Sequence, residues 1–223
     1  MLSFVAGALL VAAALAAIRW WLTRVDTIGR PRPFPVFSVT GLALLGGGLF
    51  VPVLRHAQLE HRLDSVASVL VGAPVTVHCQ SLGKELVDVG PELGFVRYGA
   101  NGVPEHSTLI KREACSDLRG YLGSDHHHPS DAQVLAVHVL THESMHMAGS
   151  TDEAQAECFA VQRDAQTARL MGASSADAFR LARTYWLTVY PRMPDGYKSA
   201  DCGPGGAMDR RSADAPWLGP APG

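Results

Sequence analysis

"DAQVLAVHVLTHESMHMAGSTDEAQAEC", residues 131–158, decides how the second half of this chain folds. From Asp131 to Ala148 it contains neither glycine nor proline. Its apolar residues, Val134, Leu135, Val137, Leu140, Met145 and Met147, suit one long helix. Ser130 or Asp131 can cap its start, and Gly149 stops it. Ser150-Thr-Asp-Glu153 has the pattern of a capping box, which predicts a second helix from Ser150 to about Met171. A third is expected from Ser174 or Ser175 to Tyr190, ended by Pro191 and Pro194.

Upstream, the pattern changes from helical to alternating. "VTVHCQ" (75–80), "LGFVRYG" (93–99) and "STLIKREAC" (107–115) read as strands, with turns at Gly90-Pro91 and Asn101-Gly102. They predict a small antiparallel sheet, and so an α+β domain. His56 to Val71 places Leu59, Leu63, Val66 and Val69 or Leu70 at helical spacing, a neck ended by Gly72 and Pro74.

The first 55 residues differ in kind. Leu2–Ile18 and Pro33–Leu54 carry no charge, and each approaches the roughly 20 apolar residues that cross a bilayer. A signal peptide would need a basic start, which the first stretch lacks, and Arg19, Trp20 and Trp21 form an interfacial anchor after it. Gly46, Gly47 and Gly48 would allow close packing on the Ala-rich first span. A buried hairpin of a soluble protein is the alternative. Arg19, Arg24, Arg30 and Arg32 between the spans face one acid, Asp26, which predicts a cytoplasmic linker with both termini outside. The expected partner of this anchor is the lipid bilayer. A net charge of −2 gives no broad cationic surface for nucleic acid.

All four cysteines lie beyond the second span, as expected of two disulfides in an exported domain. Pairing within each half favours Cys79–Cys115 and Cys158–Cys202. The expected organisation is a two-helix membrane anchor (1–55), an extracytoplasmic domain (56–202) and an irregular Gly- and Pro-rich tail (203–223).

His142-Glu143-Ser144-Met145-His146 is an HExxH sequence. Residues four apart share a helix face, so both histidines can hold one zinc ion, with Glu143 beside it as general base. A catalytic site needs a third protein ligand. With Gly149 and Asp152 the sequence resembles the metzincin pattern, with an aspartate where a histidine is usual, similar to the snapalysin-type variant. With Glu153, Ala156 and Glu157 it resembles the second helix of gluzincins, in which a glutamate binds zinc and a polar residue four positions on supports a ligand histidine. There is no third metzincin histidine and no Met-turn, and the interval from His146 to Glu153 is short for a gluzincin. Glu153 is the preferred third ligand and Asp152 the alternative.

The resemblance to zincin metallopeptidases covers residues 131–165 and implies a zincin-like helical domain and a peptide or protein substrate. The expected function is a membrane-anchored zinc hydrolase, a peptidase, working outside the cytoplasm. The alternative is a non-catalytic zinc-binding ectodomain, with His138 or one of His126-His127-His128 closing the fourth position. His138 is otherwise a packed neighbour of the site, and Glu153 could be only a capping acid. Tyr185, Tyr190 and Tyr197 are candidate oxyanion donors, with core or surface packing as the plainer role. No phosphate loop or Ser-His-Asp set is present.

Overall fold

A computed structural model describes residues 2–80 and 92–218, so the expected Gly90-Pro91 turn lies outside the described residues. The chain divides into two compact units, Met1–Gln58 and Leu59–Gly223.

The first unit holds helix α1 (Leu2–Leu22) and the first turns of α2 (Val36–Val71). Both helices are long and apolar enough to cross a membrane, and few residues of their apolar windows are buried, 11% and 6%, unlike those of a soluble core helix. At Gly46 they pack closely, an added Cβ lying 2.9 Å from Leu10 Cγ and 3.1 Å from the Ala6 carbonyl oxygen. The linker folds back on itself. Asp26 Oδ1 accepts from the Ile28 and Arg30 amides, and the Trp20 indole donates to the Arg32 carbonyl. The expected neck at 56–71 is not a separate helix but the end of α2, which continues past Pro52. Leu59, Leu63 and Val66 lie in the core of the second unit as expected, and of the two alternatives Leu70 is the buried one while Val69 is exposed.

That unit is α+β. Strands β1 (Thr76–Cys79), β2 (Gly94–Tyr98) and β3 (Pro104–Ile110) form one sheet in the order β1-β3-β2. The sheet is mixed, which corrects the antiparallel expectation. β2 and β3 are antiparallel, but β1 runs parallel to β3, Thr76 facing Ser107 and Cys79 facing Ile110. A parallel pair needs a long connection, and the chain between β1 and β3, which includes β2, provides it. The third strand also begins earlier and ends sooner than 107–115. After Ile110 the period becomes helical, and α3 (Arg112–Leu122) buries Ala114, Cys115, Leu118 and Tyr121.

Helix α4 (Asp131–Met147) runs through the middle of the unit, buried from Ala136 to Met147. Ser130 caps it in a reciprocal box with Gln133. Gly149, at φ 106°, ends it, its amide donating to the His146 carbonyl and that of Ser150 to Met145. This double reversal turns the chain into α5 (Glu153–Val161). The box expected at Ser150 does not form. Asp152 is the cap, accepting from the Gln155 amide at 2.8 Å, and Glu153, half exposed, turns to His142 and His146. The single helix expected to Met171 is split into α5 and α6 (Asp164–Leu170). At the break the Gln162 side chain donates to the carbonyls of Cys158 and Met208, and Arg163 donates to the Leu70 carbonyl. Helix α7 (Ser175–Thr184) passes into a π turn (Tyr185–Val189) and short 3-10 turns.

Both favoured disulfides are present, Cys79–Cys115 joining β1 to α3 and Cys158–Cys202 joining α5 to the following segment. Among the described residues the segment after 202 has no helix or strand, yet it is anchored. The Arg210 amide donates to Gln162, Arg169 makes a two-pronged bond to Asp214, and Trp217 packs on Trp186.

Candidate metal centre

Helix α4 presents His142 and His146 one turn apart, and the tight reversal at Gly149 brings the first residue of α5 against them. His142 Nε2 and His146 Nε2 are 3.0 Å apart. Glu153 Oε2 lies 3.1 Å from the first and 3.3 Å from the second. Ligands each about 2.0–2.1 Å from a tetrahedral zinc are about 3.3 Å from one another. His142, His146 and Glu153 thus form a group that could hold a metal ion. Asp152 points elsewhere, as the helix cap.

The outer ring nitrogens state which tautomers these are. His142 Nδ1 faces Glu157 Oε2 at 3.0 Å, and His146 Nδ1 faces the Ser150 carbonyl at 2.7 Å. Both partners only accept, so each Nδ1 carries the proton, and the Tyr98 hydroxyl, 3.2 Å from His146 Nδ1, can share it. In the neutral rings each Nε2 is then a lone pair. Two nitrogen lone pairs and a carboxylate oxygen would then converge, a donor set that a cation can satisfy. Without one, burial lowers the pKa of His142 but the Glu153 and Glu157 carboxylates outweigh it and raise it to about 9, so a proton fills the same place.

Glu143 lies on the next face of α4, 5% exposed. Burial pushes its carboxyl up to about 7, against the opposing pull of His142. Its Oε2 has no hydrogen-bond partner. Strand β2 passes so close that a Cβ on Gly94 would lie 2.9 Å from Glu143 Oε1. Glu143 opens onto a cleft of about 480 Å³ whose walls include Leu93, Leu135, Val139, Met193, Pro194 and Tyr197.

Behind His142 lies a second buried cluster. His138 Nδ1 donates to Asp164 Oδ2 and its Nε2 to Glu157 Oε2, each at 2.9 Å. Burial alone would lower the pKa of this imidazole, but the two carboxylates outweigh it and raise it to about 10. Tyr185 stacks on His138 with ring centres 3.6 Å apart and donates to Glu157 Oε1 at 2.6 Å. Burial opposes ionisation of Glu157, but His138 and His142 hold its pKa well below the usual carboxylate range.

The other sequence candidates fall in plain places. His127 pairs with Asp177 at 3.2 Å, and His126 packs edge-on against Tyr121. Two groups among the described residues could hold a metal ion, His142–His146–Glu153 and His138–His142–Glu157, and no histidine of 126–128 belongs to either. Tyr190 is tied to Ser199. Tyr185, buried, and Tyr197, half-buried, both line the cleft, the Tyr197 ring 5.8 Å from that of His142. Sequence reasoning missed Gly94, Tyr98 and Asp164. A glycine within a strand signals close approach, so Gly94 was findable; Asp164 carried no such signal.

Comparison with known proteins returned no similarity: no protein family, no curated protein and no solved structure matches this chain.

Proposed function

We propose that this protein is a membrane-anchored zinc hydrolase, a peptidase, with its site on the outer side of the membrane. The observation that carries it is the convergence of His142 Nε2, His146 Nε2 and Glu153 Oε2, with both outer nitrogens already committed as donors. A bound zinc ion supplies Lewis acidity, lowering the pKa of water and polarising a carbonyl.

The remaining chemistry belongs to the chain. His142 and His146 are held in one tautomer by Glu157 and the Ser150 carbonyl. Glu143, in the cleft wall beside His142, receives the proton of the attacking water and returns it to the leaving amine. Its free Oε2 is the oxygen suited to this. Tyr197 lines the cleft and is the side-chain donor suited to developing negative charge, while the Tyr98 hydroxyl stands behind His146 at its Nδ1. Apolar walls keep water out and leave room for a side chain of the substrate.

Location outside the cytoplasm is supported by the two apolar helices, the Arg-rich linker and two disulfides that reducing cytosol would disfavour. A reporter fused beyond residue 60 that reads cytoplasmic would overturn the topology.

The test of function uses the full-length chain in detergent. It should carry one zinc per chain and cleave members of a peptide library. His142→Ala should lose the metal, and Glu143→Gln should keep the metal and lose cleavage. Full zinc retention by His142→Ala, or equal cleavage by Glu143→Gln, would overturn the proposal.

A further inference from the structure

We propose that His138 and Asp164 are positioning residues for the metal centre, the far end of a buried chain Asp164–His138–Glu157–His142 that fixes the ring of ligand His142. This rests on the reading that His142 is a metal ligand. The chain is continuous in hydrogen bonds. Asp164 Oδ2 accepts from His138 Nδ1 and Glu157 Oε2 accepts from His138 Nε2, both at 2.9 Å, and the same Glu157 oxygen accepts from His142 Nδ1 at 3.0 Å.

Each link has its freedom removed by a neighbour. The Tyr185 ring lies nearly parallel to His138, 10° between planes, and blocks its rotation about χ2. The Tyr185 hydroxyl holds the other oxygen of Glu157 at 2.6 Å. Glu157 thus accepts three donors, and its plane is set from three directions. What remains is one orientation for His142, with Nε2 turned to Glu153 and His146. The participants come from α4, α5, α6 and the π turn, so the chain ties the helices of the core to the geometry of the site. π turns of this kind are frequent at functional sites.

A core built for stability alone has little reason to contain this set. Glu157 is 1% exposed, His138 2% and Asp164 0%. Burying charge is costly, and well-packed apolar replacements of such groups are often neutral or stabilising. Nor is His138 free to act as a ligand itself, because both its nitrogens donate to carboxylates.

The experiment measures the zinc dissociation constant of full-length protein in detergent by competition with a chromophoric chelator. His138→Gln and Glu157→Gln should each weaken zinc binding about 10–100-fold, the usual cost of losing a partner behind a ligand histidine. The double variant should be no weaker than the worse single one, because both act through one chain. Tyr185→Phe removes one hydrogen bond to the Glu157 carboxylate, keeps the ring stack, and should cost about tenfold. It carries the test if His138→Gln does not fold. A purely structural role would lower the melting temperature of these variants and leave the zinc constant of the folded protein unchanged, and that result overturns the proposal. Two zinc ions per wild-type chain, falling to one in His138→Gln, would make His138 a ligand and also overturn it. Wild-type protein that binds no zinc would instead overturn the metal reading itself.

Discussion

Replacing Gly94 by alanine should slow hydrolysis while leaving the metal in place. The added methyl carbon would lie 2.9 Å from both Cγ and Oε1 of Glu143 and 3.1 Å from Cδ. Ordinary contact begins near 3.4 Å, so the carboxyl group must withdraw by about 0.5 Å or strand β2 must move by as much. Glu143 is only 5% exposed, so any withdrawal moves its carboxyl group out of its place in the cleft wall. Gly94 does not sit at a positive φ, so alanine brings no backbone strain of its own. A displacement of about 1 Å of a catalytic group costs on the order of 10²-fold in rate, so half of that predicts roughly a tenfold loss, about 1.4 kcal/mol. The three atoms nearest the added methyl all belong to Glu143, so the effect should fall on the base and zinc content should stay at the wild-type level. The assay is the initial rate on a cleaved library peptide, with zinc measured on the same sample and Glu143→Gln as the floor. A Gly94→Ala protein with wild-type rate and full zinc would refute the assignment of Glu143 as a base held in place by β2. Loss of zinc in parallel with rate would show that the strand supports the metal and not the base.

Three further outcomes are expected. Glu153→Gln should weaken zinc binding, while Asp152→Asn, which preserves the helix cap, should leave it unchanged; the reverse result would move the third ligand to Asp152. Each disulfide closes a loop, of sequence separation 36 for Cys79–Cys115 and 44 for Cys158–Cys202, so replacing either pair by alanine should cost about 4 kcal/mol, read from denaturant midpoints. In chelator, stability should fall as pH rises. His138 is raised to about 10, His142 to about 9 and Glu143 to about 7, so the contribution of each is complete below its ordinary value and lost as pH climbs through the raised one. The depressed Glu157 acts oppositely, its contribution present above the ordinary glutamate pKa and lost in acid. A metal-free melting temperature that stays level from pH 6 to 10 would contradict this.

The sequence by itself determined what depends on neighbours along the chain. Two uncharged stretches, the unbroken run from Asp131 to Met147, the stop at Gly149 and the spacing of His142 and His146 are all local, because helix periodicity and capping are local. The sequence only favoured a cysteine pairing within each half, among three possible ones, and the structure shows that pairing. Tertiary structure decided the rest. β1 lies parallel to β3 because of where the intervening chain returns, which no strand's composition records. The helix from Ser150 to Met171 breaks because Gln162 is drawn to Met208 and Arg163 to Leu70, partners far away in sequence. Glu153 faces the histidines instead of closing a cap because Asp152 takes the capping position and frees its neighbour. Asp164 and Tyr185 join the site only through His138 and Glu157, across the interior. Spacing along a helix specifies which side chains share a face; what a face meets is set by the packing of whole elements, and that is decided only when the core closes.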